Sequence, residues 1–95
     1  MAIMMIMKWK GVSLEQYDAV RKLVDWEADE PAGGMFHATA HDGEGLRITD
    51  LWESAEAFQA FVNDRLMPGI VQLGEIEGEP DVEIYPLHDV FAPGV

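Results

Sequence analysis

Three histidines, eighteen acidic residues and no cysteine are the raw material for chemistry in this 95-residue chain. One pairing stands out among them. Met35–His41 and Leu46–Glu53 both alternate as strands do, and Asp42-Gly43-Glu44-Gly45 joins them. A two-residue turn at Gly43-Glu44, with glycine first, suits a type II′ hairpin. That register sets His41 opposite Leu46, Thr39 opposite Ile48, His37 opposite Asp50 and Met35 opposite Trp52. A carboxylate beside an imidazole fixes its tautomer and makes it a better general base. An aromatic ring beside the pair, Trp52, could stack on a planar substrate. The pair also has a purely structural reading, as a polar couple holding two strands in register.

The remaining histidines point to less. His41, near the turn, reads as solvated. His37 and His41 alternate on a strand, but no His-x-x-x-His occurs on a helix, so no metal site is predicted. Met4, Met5, Met7 and Met35 read as packing residues rather than soft-metal ligands. There is no Gly-rich phosphate loop, nucleophile elbow or dinucleotide fingerprint.

The elements that must position His37 and Asp50 follow from periodicity. Met1–Trp9 reads as a first strand, with Ile3, Met5, Met7 and Trp9 on one face and Met4 and Ile6 on the other. A strand apolar on both faces is covered on both. Ser13 and Gln16 form a capping box for a helix to about Trp26, with Leu14, Tyr17, Val20, Leu23 and Val24 as its apolar face. Glu30–Gly34 is a loop. Ser54 caps a second helix, Ala55 to about Met67, with Glu56 in its first turn and Phe58, Phe61, Val62 and Leu66 inward. Pro68 is expected to end that helix and start a short turn through Leu73, stopped by Gly74. Val82–Val90 is the last strand, with His88 on it, and Pro86 assigns it to a sheet edge.

The order is βαββαβ in a single domain over residues 1–95. Two helices can cover one face of a four-stranded sheet but not both. The remaining apolar face calls for a second copy of the chain, sheet against sheet. A net charge of −12, from six basic and eighteen acidic residues, argues against nucleic acid and anionic membranes as partners. Ala2–Met7 is too short for a bilayer span and lacks a cleavage-like flank, so it reads as strand, and the absence of cysteine fits a cytoplasmic protein.

The order βαββαβ, with Trp52-Glu53-Ser54 leading into a helix that carries Phe58 and Phe61, resembles the dimeric α/β-barrel superfamily. Its best-known branch is the antibiotic-biosynthesis-monooxygenase-like proteins. The runs Phe36-His37-Ala38, Asp50-Leu51-Trp52-Glu53-Ser54, Arg65-Leu66-Met67-Pro68 and Pro86-Leu87-His88 are similar to a group of small, uncharacterised, mainly bacterial proteins of that fold. The resemblance implies an α+β, ferredoxin-like protomer with a four-stranded antiparallel sheet and helices on one face, pairing as an α/β barrel. It also implies a cavity between sheet and helices or loops.

Members of the superfamily include cofactor-free oxygenases of aromatic polyketides, haem-degrading proteins and isomerases. The haem-degrading branch relies on a histidine of the second helix and an asparagine of the first strand, and this chain has neither. Its tryptophan in a similar Trp-x-Ser turn lines the pocket, which lends Trp52 a cavity-facing role. The resembling group carries a histidine where His88 stands.

The expectation is therefore a homodimeric enzyme, without cofactor or metal, acting as an oxygenase or isomerase on a hydrophobic aromatic or polyketide-like molecule. His37 would be the base, Asp50 its orienting partner, and Trp52, Met35 and His88 would contact substrate. The rival is a non-catalytic ligand-binding or structural dimer in which the same residues only pack. A Trp52 buried beneath the helices would count against the pocket.

Overall fold

The computed structural model describes residues 1–94. Strand β1 (Ile3–Lys10) leads into helix α1 (Leu14–Val24), hairpin β2 (Gly34–His41) and β3 (Gly45–Trp52), helix α2 (Ala55–Phe61), a π-helical turn (Val62–Leu66), helix α3 (Met67–Leu73) and strand β4 (Asp81–Pro86). The antiparallel sheet has the order β2-β3-β1-β4, which places the two most buried strands at its centre. The fold is α+β and ferredoxin-like, as the resemblance implied. No helix among the described residues is long and apolar enough to cross a membrane.

The β2–β3 register is the predicted one over most of its length: His41 pairs with Leu46, Thr39 with Ile48 and His37 with Asp50. Gly43 takes φ +93° at the turn, where a side chain would be strained. Asp42 accepts from the Glu44 and Gly45 amides at 2.8 and 3.0 Å and from Arg47 Nε at 2.6 Å. The Arg47 guanidinium, with those two amides, holds the Asp42 carboxyl well below the usual carboxylate range.

At the far end the register departs from expectation. A bulge sets Gly34 opposite Trp52 and leaves Met35 as the extra, unpaired residue. Gly34 lies against the indole, since a Cβ there would sit 3.6 Å from Trp52 Cζ3. The ring therefore fills the space that a methionine opposite it would claim.

Helix α1 starts at the predicted capping box, Ser13 Oγ accepting from the Gln16 amide at 3.1 Å and Gln16 Oε1 from the Ser13 amide at 3.0 Å. It stops two residues short of Trp26, because Asp25 turns left-handed at φ 56° and Arg65 Nη2 donates to the Val24 carbonyl at 3.0 Å. Its inward face is Tyr17, Val20 and Val24, while Leu14 and Leu23 are 52% and 42% exposed. At 100° per residue those two leucines flank the stripe rather than lie in it.

Pro68 does not end the second helix. Residues 55–73 run on as α2, the π turn and α3, with the Met67 amide bonded to the Val62 carbonyl five residues back. One wide turn shifts the hydrogen-bond ladder so that a proline near the start of α3 lacks no partner. Strand β4 lies at an edge as predicted, but ends at Pro86 rather than Val90.

The helices pack on the centre of the sheet. Met5, Met7, Trp9, Leu46, Ile48 and Trp52 are buried beneath them, whereas every residue of β4 and all of β2 except Thr39 are exposed. The opposite face carries an apolar row across all four strands, Phe36–Leu51–Met4–Tyr85. Lys8, Arg47 and Asp81 lie toward its other end.

Gly45 sits where β1 and β3 come closest to its Cα: a Cβ would stand 2.1 Å from the Trp9 carbonyl oxygen and 2.7 Å from Lys10 Cα. Backbone cannot yield as a flexible side chain does. Gly45→Ala is expected to destabilise the fold by about 3 kcal/mol, measured by urea unfolding, whereas Gly78→Ala, with nothing within 4 Å of its Cβ position but a φ of +78°, should cost only about 1–2 kcal/mol.

Candidate functional site

Asp50 is the only buried acidic or basic residue among those described, at 6% exposure. It lies on β3, in the middle of the helix-facing side, where strand alternation must put it once Ile48 and Trp52 point inward. Both of its oxygens are occupied. Oδ1 accepts from His37 Nδ1 at 2.5 Å, across the β2–β3 ladder, and Oδ2 accepts from Trp52 Nε1 at 3.1 Å. A carboxylate so enclosed needs both donors, because water cannot take their place.

With its Nδ1 hydrogen committed to Asp50, the imidazole presents a lone pair at Nε2. Two hydroxyls meet it there: Tyr17 Oη at 2.7 Å, from α1, and Thr39 Oγ1 at 2.9 Å, two residues along β2. Tyr17 lies nearly parallel to the imidazole, at 9° with centroids 6.1 Å apart, and Trp26 meets the imidazole edge-on at 5.4 Å. Phe61 then links Trp26 to Trp52, at centroid distances of 6.4 and 5.4 Å. The result is a continuous aromatic wall running from the helix layer to the sheet.

These side chains surround one cavity of about 750 Å³ between sheet and helices, roomy enough for a drug-sized molecule. Its lining is mostly apolar, with Met5, Met7 and Ile48 below and Val20, Phe58 and Ile70 above. The polar exception is the cluster of Asp50, His37, Tyr17 and Thr39. His37 keeps 33% of its side chain exposed, so the cavity communicates with solvent beside β2. Arg21, Glu27 and Glu30 also reach it, and Arg21 is paired to Glu27 at 3.1 Å.

His37, Asp50 and Trp52 therefore line one cavity. Trp52 is buried under α2, against Phe58 at 5.7 Å, and still lines the cavity. The supposition that burial beneath the helices would remove it was mistaken, because the cavity itself lies beneath them. Met35 reaches the cavity from the bulge, half exposed, rather than from a paired position beside Trp52.

His88 does not reach it. It lies two residues beyond the end of β4, exposed and outside the lining, past a last hydrogen bond from the Leu87 amide to the Ala2 carbonyl at 3.0 Å. His41 is exposed and accepts from the Gly43 amide at 3.1 Å, in keeping with a turn residue. No group of three His, Asp or Glu side chains among the described residues is placed to hold a metal ion.

Tyr17 was missed. Its spacing assigned it to the apolar face of α1, and there it is, but a hydroxyl on such a face needs a partner. The alternation of His37 and Thr39 on one side of β2 was the available clue. Burial pushes the Tyr17 phenol up from its ordinary value, partly offset by a hydrogen bond from Thr39. The folded chain thus favours the protonated phenol.

The sign of the pH effect follows. Tyr17's contribution is whole below the unfolded value of about 10 and is lost as pH rises through the higher folded value. Tyr85, the other tyrosine, is also raised, by its hydrogen bond to the Glu83 carboxylate. In the Tyr85→Phe variant, tyrosinate absorbance should therefore appear only above pH ~10, and Thr39→Val should move it higher still. Onset in the ordinary range would contradict the burial of Tyr17.

No protein-family model matches the chain, and no curated protein sequence matches it. Solved structures do. A proposed antibiotic biosynthesis monooxygenase from Chloroflexus aurantiacus aligns over 99% of this chain and 100% of its own, with TM-score 0.70 and 17% identity. A protein of unknown function from Nitrosomonas europaea aligns over 99% and 96%, with TM-score 0.73 and 13% identity. SnoaB, a cofactor-independent oxygenase from Streptomyces nogalater, aligns over 94% of both chains, with TM-score 0.65 and 9% identity. At such identities the likeness is one of fold. The chain has the ferredoxin-like α+β fold of the antibiotic biosynthesis monooxygenase-like proteins.

Proposed function

We propose that the protein is a homodimeric, cofactor-independent monooxygenase acting on a hydrophobic aromatic or polyketide-like molecule held in the cavity. One observation carries the reading: an imidazole oriented by a buried carboxylate, His37 Nδ1 to Asp50 Oδ1 at 2.5 Å, stands on the wall of an otherwise apolar cavity of about 750 Å³. SnoaB, a cofactor-independent oxygenase of the same fold, supports it by analogy.

The chemistry asked of the protein is modest. His37 accepts a proton from a phenol or enol of the substrate and becomes an imidazolium beside the Asp50 carboxylate. The substrate anion, in a site with little water, is electron-rich enough to react with oxygen at carbon. A CH₂ between rings becomes CH–OOH, which loses water to leave C=O, so that CH₂ and O₂ give C=O and H₂O. Trp52 and Phe61 supply flat walls against which such rings can stack.

The partner is a second copy of the chain. Phe36, Met4, Leu51 and Tyr85 form an apolar row on the face the helices leave uncovered, with Phe36 and Tyr85 40% and 45% exposed. Lys8, Lys10 and Arg47, three of the six basic residues, share that face by strand alternation. Asp81 and Glu83 lie among them and Arg47 pairs with Asp42, so this face is close to neutral and escapes most of the repulsion that a net charge of −12 per chain would impose on pairing.

Oxygen uptake should be seen with at least one member of a panel of phenols, anthrones and quinols. His37→Ala should cut it by about 10²–10⁴-fold and, by taking one donor from the buried Asp50 carboxylate, cost about 3–5 kcal/mol of stability, so activity is compared at a temperature where circular dichroism shows the variant folded. A wild type silent across the panel, with His37→Ala merely unstable, would favour a ligand-binding or structural dimer instead. Sedimentation at micromolar concentration should give a dimer, and Phe36→Glu, at a 40% exposed position of that row, should give a folded monomer. A wild type that sediments as a monomer would refute the pairing.

A further inference from the structure

The base lines the cavity, but each of its ring nitrogens already has a partner. His37 Nδ1 is committed to Asp50, and the remaining nitrogen, Nε2, is met by Tyr17 Oη at 2.7 Å and Thr39 Oγ1 at 2.9 Å. A proton leaving a molecule in the cavity therefore meets a hydroxyl before it meets the imidazole. Tyr17 is shaped for that position. With Nδ1 donating to Asp50, Nε2 can only accept, so the Tyr17 hydroxyl within 2.7 Å serves it as donor, and its oxygen, beside Thr39, has a further lone pair for another donor. Tyr17 comes from α1, across the cavity from the strands that carry His37 and Asp50.

We propose that Tyr17 is the residue that touches the substrate and passes its proton to His37, and that the substrate is a planar aromatic molecule bearing a phenolic or enolic hydroxyl. This rests on His37 being the base. In the step, the substrate O–H bond breaks and a Tyr17 O–H bond forms. The original Tyr17 O–H bond breaks as its hydrogen forms a bond to His37 Nε2. The products are a substrate oxyanion, a neutral Tyr17 and an imidazolium facing the Asp50 carboxylate, so net charge is unchanged.

The relay selects the class of acid. Protons pass readily between hydrogen-bonded oxygens, whereas removal of a proton from carbon calls for direct contact with the base. The cavity mouth selects against anions: Arg21 is paired to Glu27, and Glu30 adds a further carboxylate. A carboxylated or phosphorylated ligand would find no free cation there among the lining residues. A neutral, flat, hydroxylated molecule finds the aromatic wall of Trp26, Phe61 and Trp52 and one hydroxyl to bind.

Alizarin, a planar dihydroxyanthraquinone whose neutral and anionic forms differ in colour, tests this without turnover. It should bind the wild-type protein and show the anion spectrum at a pH where free dye is neutral. Anthraquinone, which has no hydroxyl, should bind about 10-fold more weakly, the worth of one lost hydrogen bond. Tyr17→Phe keeps the ring and its packing on Trp26, so the dye should bind within about 10-fold but keep its neutral spectrum, with circular dichroism unchanged. His37→Ala should do the same with Tyr17 present. Thr39→Val should lower the anionic fraction without abolishing it.

Ionisation of the dye by Tyr17→Phe as by wild type would overturn the relay. So would equal affinity for anthraquinone, or failure of the wild type to bind or ionise alizarin. Ionised dye with no oxygen uptake from any phenol would leave the relay standing and remove the oxygenase reading.

Discussion

A single carboxylate in the middle of the sheet constrains everything around it. Asp50 is buried at 6% exposure with donors on both oxygens, one from β2 and one from its own strand. Removing one partner of a buried, paired charge typically costs about 3–5 kcal/mol. By contrast, Arg21 and Glu27, 42% and 66% exposed, belong to the class of surface pairs worth about 0–1 kcal/mol. Asp50 therefore dictates which way the His37 imidazole and the Trp52 indole face. Tyr17 then has one place to put its hydroxyl, against Nε2. Sheet and helix layer are joined there by hydrogen bonds rather than by packing alone.

The same constraint explains why the cavity exists. A layer of helices laid on a fully apolar sheet would close onto it, because every methylene brought together gains contact. Here the strand face presents a polar cluster where the imidazole, phenol and hydroxyl stand up from β2 and α1, and bulky rings brace the gap. The continuous helix from Ala55 to Leu73 holds the far side at a fixed height. Its π turn lets one helix carry both Phe58 and Phe61 inward and Ile70 as well, across a proline that would otherwise break it. Gly69 is part of that fit, since a Cβ there would come within 2.7 Å of Val24 Cγ2.

The helices shield the two central strands and little else. Both edges stay exposed, and the far face carries its apolar row. A chain of 95 residues has a small core to draw on, and spending two faces of β1 on apolar side chains makes sense only if both become covered. The polar cluster faces the helices and the apolar row faces away from them. Any association through that row would leave the cavity within one protomer, with its opening beside His37.

Local chemistry was enough for the hairpin. The alternation of residues 35–41 and 46–53, with a glycine able to take φ +93° between them, determined that His37 would face Asp50. The capping residues Ser13 and Ser54 likewise set where both helices begin. These signals act between neighbours in the chain or across one tight turn, so the sequence carries them openly.

What needed the tertiary structure was every feature fixed by a distant element. Met35 left the register because the Trp52 ring occupies the place beside Gly34. His88 fell outside because β4 ends at Pro86 and only the Leu87 amide, bonded to the Ala2 carbonyl, follows the sheet beyond it. Pro68 was accommodated because a wide turn upstream re-registers the ladder. Tyr17 joined the site because α1 happens to cross above His37, a matter of how helices sit on a sheet, which no spacing along one helix encodes.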